Sequence, residues 1–326
     1  GTGGKMGAAV LGLGVIGNVH AAVLKEQGEE LVAVCDIRPD ALEGYACAHY
    51  SDYIRMLDAE RIYLVHVCTP HYLHADMTVE ALKRGVNVLC EKPLCIKRED
   101  IPRILAAEKQ SSAMLGVCFQ NRYNPSSVFA KGYLAGRQAE RAEGRLYWHR
   151  DAAYYASGDW RGKWATEGGG VLMNQAIHTV DLLIWLLGEP VTARGKISAE
   201  ELGDVIEVED TACALFSGGK APFSIYATNT AKKDQPVVIR VAAEGGELVI
   251  TPSGAAVGGK VVKLDKTPGA RGKSVYGSGH ERLIADFYDC VRSGRKFPVD
   301  GEEGAKSVRA VLAVYASDGK DVPLRP

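Results

Sequence analysis

The first 120 residues alternate short apolar segments with segments of helical periodicity. Segments that are apolar on both faces and separated by helices are typical of a parallel sheet covered by helices on each side. Strands are predicted at residues 7–14, 31–36, 62–70, 87–93 and 113–120. Helices are predicted at residues 15–27, 38–50, 76–84 and 97–110. This pattern predicts a doubly wound, Rossmann-type α/β domain.

The remaining residues have period-two alternation and β-branched enrichment instead. Strands are predicted at residues 145–149, 191–198, 206–217, 221–230, 236–245 and 246–252. Helices are predicted from 125 to about 135 and at 172–187, 281–293 and 302–316. Many strands with few helices predict an α+β domain with an open, mostly antiparallel sheet. We place the boundary so that residues 1–121 form the first domain and 122–326 the second.

Composition excludes several classes of partner. The 39 basic residues face 40 acidic ones, for a net charge of −1, so no electrostatic attraction to nucleic acid or an anionic membrane is expected. No apolar stretch reaches the roughly 18 residues of a membrane span, and the start lacks a signal-peptide pattern. The eight cysteines include no C-x-x-C pair and no Cys/His cluster with zinc spacing. We expect a cytoplasmic protein with reduced cysteines and no metal site.

A glycine-rich turn joins the first predicted strand to the first helix. It reads Gly12-Leu13-Gly14-Val15-Ile16-Gly17. In such a turn the first glycine permits the bend, the second admits a pyrophosphate, and the third lets helix and strand pack closely. The helix N-terminus then offers N–H groups to the phosphates. The alternative is a tight turn that binds no ligand.

Asp36 ends the second predicted strand, 19 positions after Gly17. A carboxylate there can accept both adenosine-ribose hydroxyls and would repel a 2′-phosphate, which favours NAD over NADP. Arg38, two residues later, would partly offset that repulsion. NAD is therefore the expected cofactor, with NADP as the alternative.

Polar residues follow three further strands. In such a sheet the carboxyl ends of the strands face the ligand crevice. The residues found there are Thr69-Pro70-His71, Glu91-Lys92-Pro93 and Gln120-Asn121-Arg122. We predict that Thr69, Pro70, His71, Glu91 and Lys92 contact the cofactor. Lys92 beside the nicotinamide could stabilise an oxyanion or lower the pKa of a substrate hydroxyl, unless it simply extends from a strand end into solvent.

Three segments together resemble a known family. They are GLGVIG, TPHYLHADMTVEALKRGVNVLCEKPL and GGGVLMNQAIHTVDLLIWLLG, and the likeness runs nearly end to end. The chain resembles the glucose-fructose oxidoreductase/inositol dehydrogenase (Gfo/Idh/MocA) family. The resemblance implies a Rossmann domain, a C-terminal α/β domain whose open sheet often mediates homodimers or homotetramers, and nicotinamide-dependent chemistry at a sugar or cyclitol carbon.

The resemblance also gives a role to the predicted helix 172–187. Asn174, His178 and Asp181 are spaced to share one helix face. The family places a catalytic histidine at the position of His178, where it would act as general base together with Lys92. Many relatives carry Asp at the position of Asn174, and an amide cannot take a proton. Asp181 is expected to orient backbone or His178, and the alternative for the whole helix is a buried amphipathic helix.

Residues 148–167 hold three of the four tryptophans and several charged side chains. Aromatic faces suit sugar stacking, and charged groups can bind hydroxyls. The predicted substrate residues are Arg122, Tyr154, Tyr155, Trp160, Arg161, Asn174 and His178. Arg161 or Arg122 could instead pair with a carboxylate or phosphate, which would point to uronates or nucleotide sugars. The alternative is an aromatic loop that only packs over the sheet, and His280 is left open between the site and a helix cap.

These features predict an NAD-dependent dehydrogenase that acts on a secondary hydroxyl of a sugar, glycoside or cyclitol. Two alternatives follow from the same resemblance. Some relatives oxidise a glycoside transiently and release the aglycone without net redox change. Some fungal repressors of this fold bind the cofactor as sensors, without catalysis.

Overall fold

The computed structural model describes residues 7–264 and 279–326, and its chain contacts divide into two compact units. The first unit contains Gly1–Phe119 and His280–Ala305, and the second contains Gln120–Gly279 and Lys306–Pro326. The chain therefore returns to the first unit at His280 and enters the second again at Lys306. A single boundary at 121 does not include that return.

The described residues form fifteen strands and ten α-helices. The strands are Gly7–Leu11 (β1), Leu31–Cys35 (β2), Ala48–Tyr50 (β3), Ile62–Val67 (β4), Asn87–Glu91 (β5), Leu115–Cys118 (β6), Ala139–Tyr147 (β7), Thr192–Ser198 (β8), Thr211–Ser217 (β9), Phe223–Thr228 (β10), Val238–Ala243 (β11), Leu248–Thr251 (β12), Gly254–Val257 (β13), Lys260–Val261 (β14) and Val322–Pro323 (β15). The helices are Val15–Glu26 (α1), Pro39–Leu42 (α2), Tyr53–Ala59 (α3), His74–Lys83 (α4), Asp100–Gln110 (α5), Pro125–Leu134 (α6), Ala152–Ala156 (α7), Ile177–Leu187 (α8), Gly279–Ser293 (α9) and Gly301–Ser317 (α10). None of these helices is long and apolar enough to cross a membrane.

The first unit is built on a six-stranded parallel sheet in the order β3-β2-β1-β4-β5-β6. Every residue of the central strand β1 is buried, as expected for a strand covered on both faces, and every residue of the edge strand β6 is buried as well. The strand order reverses between β1 and β4. In such sheets ligands bind at the carboxyl ends of the strands beside this reversal. The predicted Rossmann-type fold is confirmed.

The predicted helix over residues 38–50 is wrong. Only Pro39–Leu42 is helical, because Gly44 takes a left-handed conformation with φ +87° that ends the helix. The chain then extends, and Ala48–Tyr50 pairs in parallel with the end of β2. The apolar residues of this short edge strand also fit a helical periodicity.

The second unit is built on a nine-stranded sheet in the order β14-β13-β12-β11-β7-β10-β9-β8-β15. All neighbouring pairs are antiparallel except β7 and β10, so the predicted mostly antiparallel sheet is confirmed. Helix α8 lies against one face. A Cβ added to Gly144 of β7 would lie 2.5 Å from Thr179 Cγ2 of that helix, so glycine permits this close contact.

The opposite face of this sheet carries exposed apolar side chains. Along β9 the residues alternate, with Cys213 and Leu215 exposed and their neighbours buried. Tyr226 of β10 is also exposed, and its ring centroid lies 5.7 Å from that of Tyr147. Within the described residues of this unit, the sheet therefore has one face packed against α8 and one open face.

Candidate active site

The glycine-rich turn has little room for larger residues. Gly12 has φ +87°, and a Cβ there would lie 2.7 Å from the carbonyl oxygen of Cys68. A Cβ on Gly17 would lie 1.8 Å from the carbonyl oxygen of Gly12. Gly14 is the N-cap of α1, and a Cβ there would meet nothing within 4 Å. Gly12 and Gly17 thus let the turn pack closely, and Gly14 leaves open space before the helix N-terminus.

Asp36 faces this turn directly. Its Oδ2 accepts a hydrogen bond from the Leu13 amide at 2.8 Å, and its Oδ1 accepts one from the Arg38 amide at 2.9 Å. Arg38 Nε also lies 3.4 Å from Oδ1. The structure therefore brings the predicted ribose-binding carboxylate to the predicted pyrophosphate turn.

Exposed apolar side chains follow the same strand ends. Val15, Ile37 and Tyr72 are 81%, 84% and 46% exposed, and they follow β1, β2 and β4. They are the large exposed apolar residues in the described part of the first unit. They therefore lie after the carboxyl ends of strands that face the predicted cofactor crevice.

The end of β4 is fixed by a histidine that the sequence did not single out. His74 is buried, with Nδ1 2.6 Å from the Pro93 carbonyl oxygen and Nε2 2.7 Å from the Thr69 carbonyl oxygen. Thr69 Oγ1 lies 3.2 Å from Met77 Sδ. His74 therefore ties the loop after β4 to the loop after β5. The predicted residue His71 is also buried, at 4% exposure.

Glu91, predicted to contact the cofactor, turns its carboxylate toward the protein's own side chains. Its Oε1 lies 2.8 Å from His20 Nε2 and 3.1 Å from His280 Nε2, and its Oε2 accepts a hydrogen bond from the Lys92 amide at 3.2 Å. Burial alone would raise the pKa of Glu91, but the hydrogen bonds from both histidines hold it well below its usual value. His280 therefore belongs to this cluster, and His20 was missed because it lies 71 residues before Glu91.

Cys118 completes a group of four side chains with the chemistry of metal ligands. Their ligand atoms, from His20, Glu91, Cys118 and His280, lie within 4.8 Å of one another. However, both histidine nitrogens share one carboxylate oxygen at 2.8 and 3.1 Å. Two ligands on tetrahedral zinc stand roughly 3.3 Å apart. The contacts are those of hydrogen bonds, and we treat the cluster as a hydrogen-bonded array.

In the second unit, the predicted helix 172–187 is interrupted by a wider segment. Val171–Ala176 is a π-helix, and α8 begins only at Ile177. Such segments are rare and occur frequently at functional sites. Asn174 lies in the π-helix and His178 in the first turn of α8, and both are buried.

A carboxylate missed by the sequence analysis lies beside Asn174. Glu167 is 1% exposed, and its Oε2 accepts a hydrogen bond from Asn174 Nδ2 at 2.8 Å. Its Oε1 accepts one from the Gly162 amide at 3.0 Å. The amide at position 174 is thus oriented by the carboxyl group of Glu167, from the loop before the π-helix.

A second buried carboxylate, Glu209, anchors the start of the π-helix. It accepts hydrogen bonds from the amides of Gly170 at 2.8 Å and Leu172 at 3.0 Å, and from Tyr315 Oη at 2.6 Å. A Cβ on Gly170 would lie 1.8 Å from the Glu209 carbonyl oxygen, and one on Gly169 would lie 2.1 Å from Tyr315 Oη. The glycine run before this helix is therefore required by close packing.

The loop residues Tyr154, Trp160 and Arg161, which are predicted to bind substrate, contact one another. The Arg161 guanidinium carbon lies 4.6 Å from the Tyr154 ring centroid and 4.5 Å from that of Trp160. Arg161 donates to Tyr154 Oη at 2.7 Å, and Gln175 Nε2 lies 3.2 Å from the same oxygen. This loop is thereby connected to the π-helix.

Two of the predicted substrate residues are buried in contacts within the protein. Arg122 is buried and forms a forked ion pair with Asp181, with nitrogen–oxygen distances of 2.7 and 2.9 Å. Tyr155 packs in a core cluster with Leu202, Ile206 and Val208.

These features define an NAD-binding Rossmann unit followed by a unit with an antiparallel sheet, the architecture of a class of nicotinamide-dependent oxidoreductases. The chain belongs to the Gfo/Idh/MocA family. Residues 6–119 match its "Oxidoreductase family, NAD-binding Rossmann fold" domain, and residues 138–249 match the "GFO/IDH/MocA C-terminal domain".

Named relatives agree with this membership. The chain is 30% identical over 241 residues to inositol 2-dehydrogenase of Rhizobium meliloti, covering 71% of each protein. It is 29% identical over 194 residues to inositol 2-dehydrogenase of Salmonella paratyphi B, 56% of this chain and only 54% of that protein. Among solved structures, the WlbA dehydrogenase of Bordetella pertussis, in complex with NADH and UDP-GlcNAcA, has a TM-score of 0.86 and 28% identity, covering 99% of this chain and all of that one.

The anchoring carboxylate gives a pH-dependent prediction. Burial raises the pKa of Glu209 to about 7, although hydrogen bonds from Tyr315 and two amides oppose the shift. Because the folded pKa exceeds the unfolded value, stability from this group is complete below about pH 4.5 and is lost as the pH rises through 7. Glu209→Gln should remove this loss. The difference in unfolding free energy, wild type minus variant, should fall by about 3 kcal/mol between acidic and mildly alkaline pH.

Urea denaturation across that pH range measures this difference. Glu207→Gln, at an exposed position two residues away, is the matched control and should give a curve parallel to the wild type. A stability curve for Glu209→Gln that is parallel to the wild-type curve would contradict the raised pKa of Glu209.

Proposed function

We propose that this protein is an NAD-dependent dehydrogenase that oxidises a secondary hydroxyl of a sugar, glycoside or cyclitol, or reduces the corresponding ketone. The observation that carries the proposal is the Asp36 carboxylate hydrogen-bonded to the glycine turn at Leu13. That arrangement provides a pyrophosphate site and a ribose-binding group in one place. Family membership supports the reaction class.

We assign the chemistry to Lys92 and His178. Lys92 polarises the hydroxyl oxygen and stabilises its negative charge, and His178 accepts the proton as hydride leaves for the nicotinamide. Imidazole suits this role because it exchanges a proton near neutral pH. The cofactor, when bound, supplies the hydride acceptor. His178 lies directly after the π-helix. The resemblance to the family, which places a catalytic histidine at this position of the sequence, supports the assignment.

The substrate ring is assigned to the loop of the second unit. Tyr154, Trp160 and Arg161 form a connected aromatic and cationic surface, joined to the π-helix through Gln175 and Asn174. Such surfaces bind the faces and hydroxyls of sugars. Inositol and a nucleotide-linked sugar acid are named for the relatives, which supports a polyhydroxylated ring as the substrate class.

The first test is the absorbance of reduced nicotinamide after NAD is mixed with free sugars, glycosides, cyclitols, uronates or nucleotide sugars.

Lys92→Ala and His178→Ala should each lower kcat on the order of 10²- to 10⁴-fold, because each removes an acid–base group. The Kd for NAD should change by less than about threefold. Unchanged turnover in either variant would remove that residue from the mechanism. Aglycone release without net reduction of NAD would indicate the glycosidase alternative, and NAD binding with neither reaction would indicate a sensor.

The cofactor preference has its own test. Asp36→Ala loses the ribose acceptor and the bond to Leu13, so the Kd for NAD should rise about tenfold or more, because a lost hydrogen bond to a charged group costs about 1.5–3 kcal/mol. Asp36→Asn keeps an acceptor for Leu13 but loses the charge, so it should shift preference toward NADP. Isothermal titration with both cofactors measures this. An equal loss of NAD and NADP in both variants would refute the ribose assignment.

We further propose that the protein forms a homodimer or homotetramer through the open face of the second sheet, in the reducing cytoplasm. The exposed Leu215 and Tyr226 support the interface, and the eight free cysteines support the compartment.

Leu215→Glu should place a charge in that interface and lower the mass measured by light scattering to that of the single chain. Val128→Glu, exposed on α6, is the control and should leave the mass unchanged. A wild-type protein that is already a single chain, or a Leu215→Glu protein of unchanged mass, would contradict the interface.

A further inference from the structure

Four buried side chains in the first unit form a continuous hydrogen-bonded array that starts beside Lys92. Glu91 Oε1 lies 2.8 Å from His20 Nε2, and His20 Nδ1 lies 2.8 Å from His66 Nδ1. His66 Nε2 lies 2.8 Å from Tyr288 Oη. Both histidines are 0% exposed, Tyr288 is 2% and Glu91 is 5%. The array therefore runs from the carboxyl end of β5 through α1 and β4 to α9.

The two ends of the array determine where its protons are. An ionised carboxylate only accepts, so His20 must carry its proton on Nε2. The bare Nδ1 of a neutral His20 then accepts from His66 Nδ1–H, and the bare Nε2 of His66 accepts from the Tyr288 hydroxyl. All hydrogen bonds point in one direction, toward Glu91, and each neutral histidine has one defined tautomer.

The electrostatic environment favours this arrangement. Burial lowers the pKa of His20 and lowers that of His66 well below its usual value, so both are neutral. Burial also raises the pKa of Tyr288, which keeps its proton. Glu91 remains ionised because its hydrogen bonds with His20 and His280 outweigh its burial.

Other titratable groups also face Glu91. Cys118 at the end of β6 and Cys68 after β4 are buried thiols whose pKa values are raised well above normal by burial and by Glu91. His74 of α4 has its pKa lowered by burial, and His280 of α9 donates to Glu91 from the opposite side to His20. Lys92 itself follows Glu91 in the chain. At neutral pH, Glu91 is therefore the one fixed anion among neutral thiols and the imidazoles of the array.

We propose that the His20–His66–Tyr288 array makes Glu91 a positioning residue for Lys92, by fixing the tautomer that keeps the Glu91 carboxylate ionised and bound to the Lys92 amide. The inference rests on the proposed function, because it assigns the array to the lysine that acts on the substrate. If His66 no longer donates to His20, then His20 is free to place its proton on Nδ1. Its Nε2 lone pair would then face the carboxylate, and Glu91 would bind a proton to relieve the repulsion.

The tautomers are measurable without any reaction. In ¹⁵N-histidine-labelled wild-type protein, long-range proton–nitrogen correlations should show His20 protonated on Nε2 and His66 on Nδ1. The protein has eight histidines, so single-site variants suffice for assignment. The opposite tautomer of either residue would overturn the array, and so would stoichiometric zinc in the purified protein.

The effect on Lys92 is tested with a pair of variants at one position. His66→Leu removes the donor to His20, whereas His66→Asn keeps an N–H group at the place of Nδ1. In His66→Leu, kcat at neutral pH should fall about tenfold, and the low-pH limb of the kcat profile should move upward by about one unit. The KM for NAD should change less than twofold, and activity should recover at higher pH as Glu91 ionises. His66→Asn should restore the wild-type profile.

A second pair examines the far end of the array. Tyr288→Phe and Tyr63→Phe each remove one hydroxyl from an edge-to-face aromatic pair whose ring centroids are 6.0 Å apart. Only Tyr288 belongs to the array, since Tyr63 Oη bonds Glu29 and Arg292. Tyr288→Phe should therefore shift the profile in the same direction as His66→Leu, and Tyr63→Phe should not.

These experiments distinguish a failure of the proposed role of the array from a failure of the proposed dehydrogenase function. Identical profiles for His66→Leu and His66→Asn, or for both tyrosine variants, would show a purely structural role and overturn the proposal. A wild-type protein that binds NAD but turns over none of the substrate classes would refute the proposed function and the catalytic part of the inference. The tautomer measurement would still decide whether the array exists.

Discussion

The candidate site in the first unit depends on one buried carboxylate at the end of a parallel strand. Glu91 is 5% exposed, and an ion so placed is tolerated only when hydrogen bonds replace its hydration. His20 and His280 provide those bonds from helices far apart in sequence, and the Lys92 amide provides a third. The backbone that carries Lys92 is therefore fixed by helices from opposite ends of the chain. This explains why α9 belongs to the first unit, although more than 150 residues intervene.

The second unit uses the same device around a different helix. Glu209 accepts hydrogen bonds from the backbone amides at the start of the π-helix. Glu167 accepts a hydrogen bond from the side-chain amide of Asn174 within that helix and so orients it. Helix starts leave backbone N–H groups without partners, and a carboxylate satisfies them. Glycines 169 and 170 are then needed because Tyr315 and the Glu209 backbone occupy the space that side chains would fill. Two buried carboxyl groups thus hold the start of this leucine-rich helix and the amide of Asn174 in place.

Much of this could be predicted from local sequence patterns. The glycine turn, Asp36 and most of the strands and helices, though not β3, depend on residues close together in the chain, so their spacing is sufficient to predict them. The unusual composition of the loop with Tyr154, Trp160 and Arg161 is visible in the sequence as well. What the sequence does not predict depends on contacts between distant segments. Nothing near Arg122 in sequence indicates that Asp181, 59 residues later, would take up its guanidinium. Likewise, no local pattern shows that His20, His66 and Tyr288 meet, or that the predicted helix would widen at Val171–Ala176.

In the proposed reaction, hydride passes directly between a ring carbon of the substrate and the nicotinamide. The most direct test uses a sugar or cyclitol that reduces NAD, with deuterium at the carbon to be oxidised. We expect the label at C4 of the reduced nicotinamide, on one face, in proportion to product. Label released into water, or retained in a product formed without reduction of the cofactor, would contradict it.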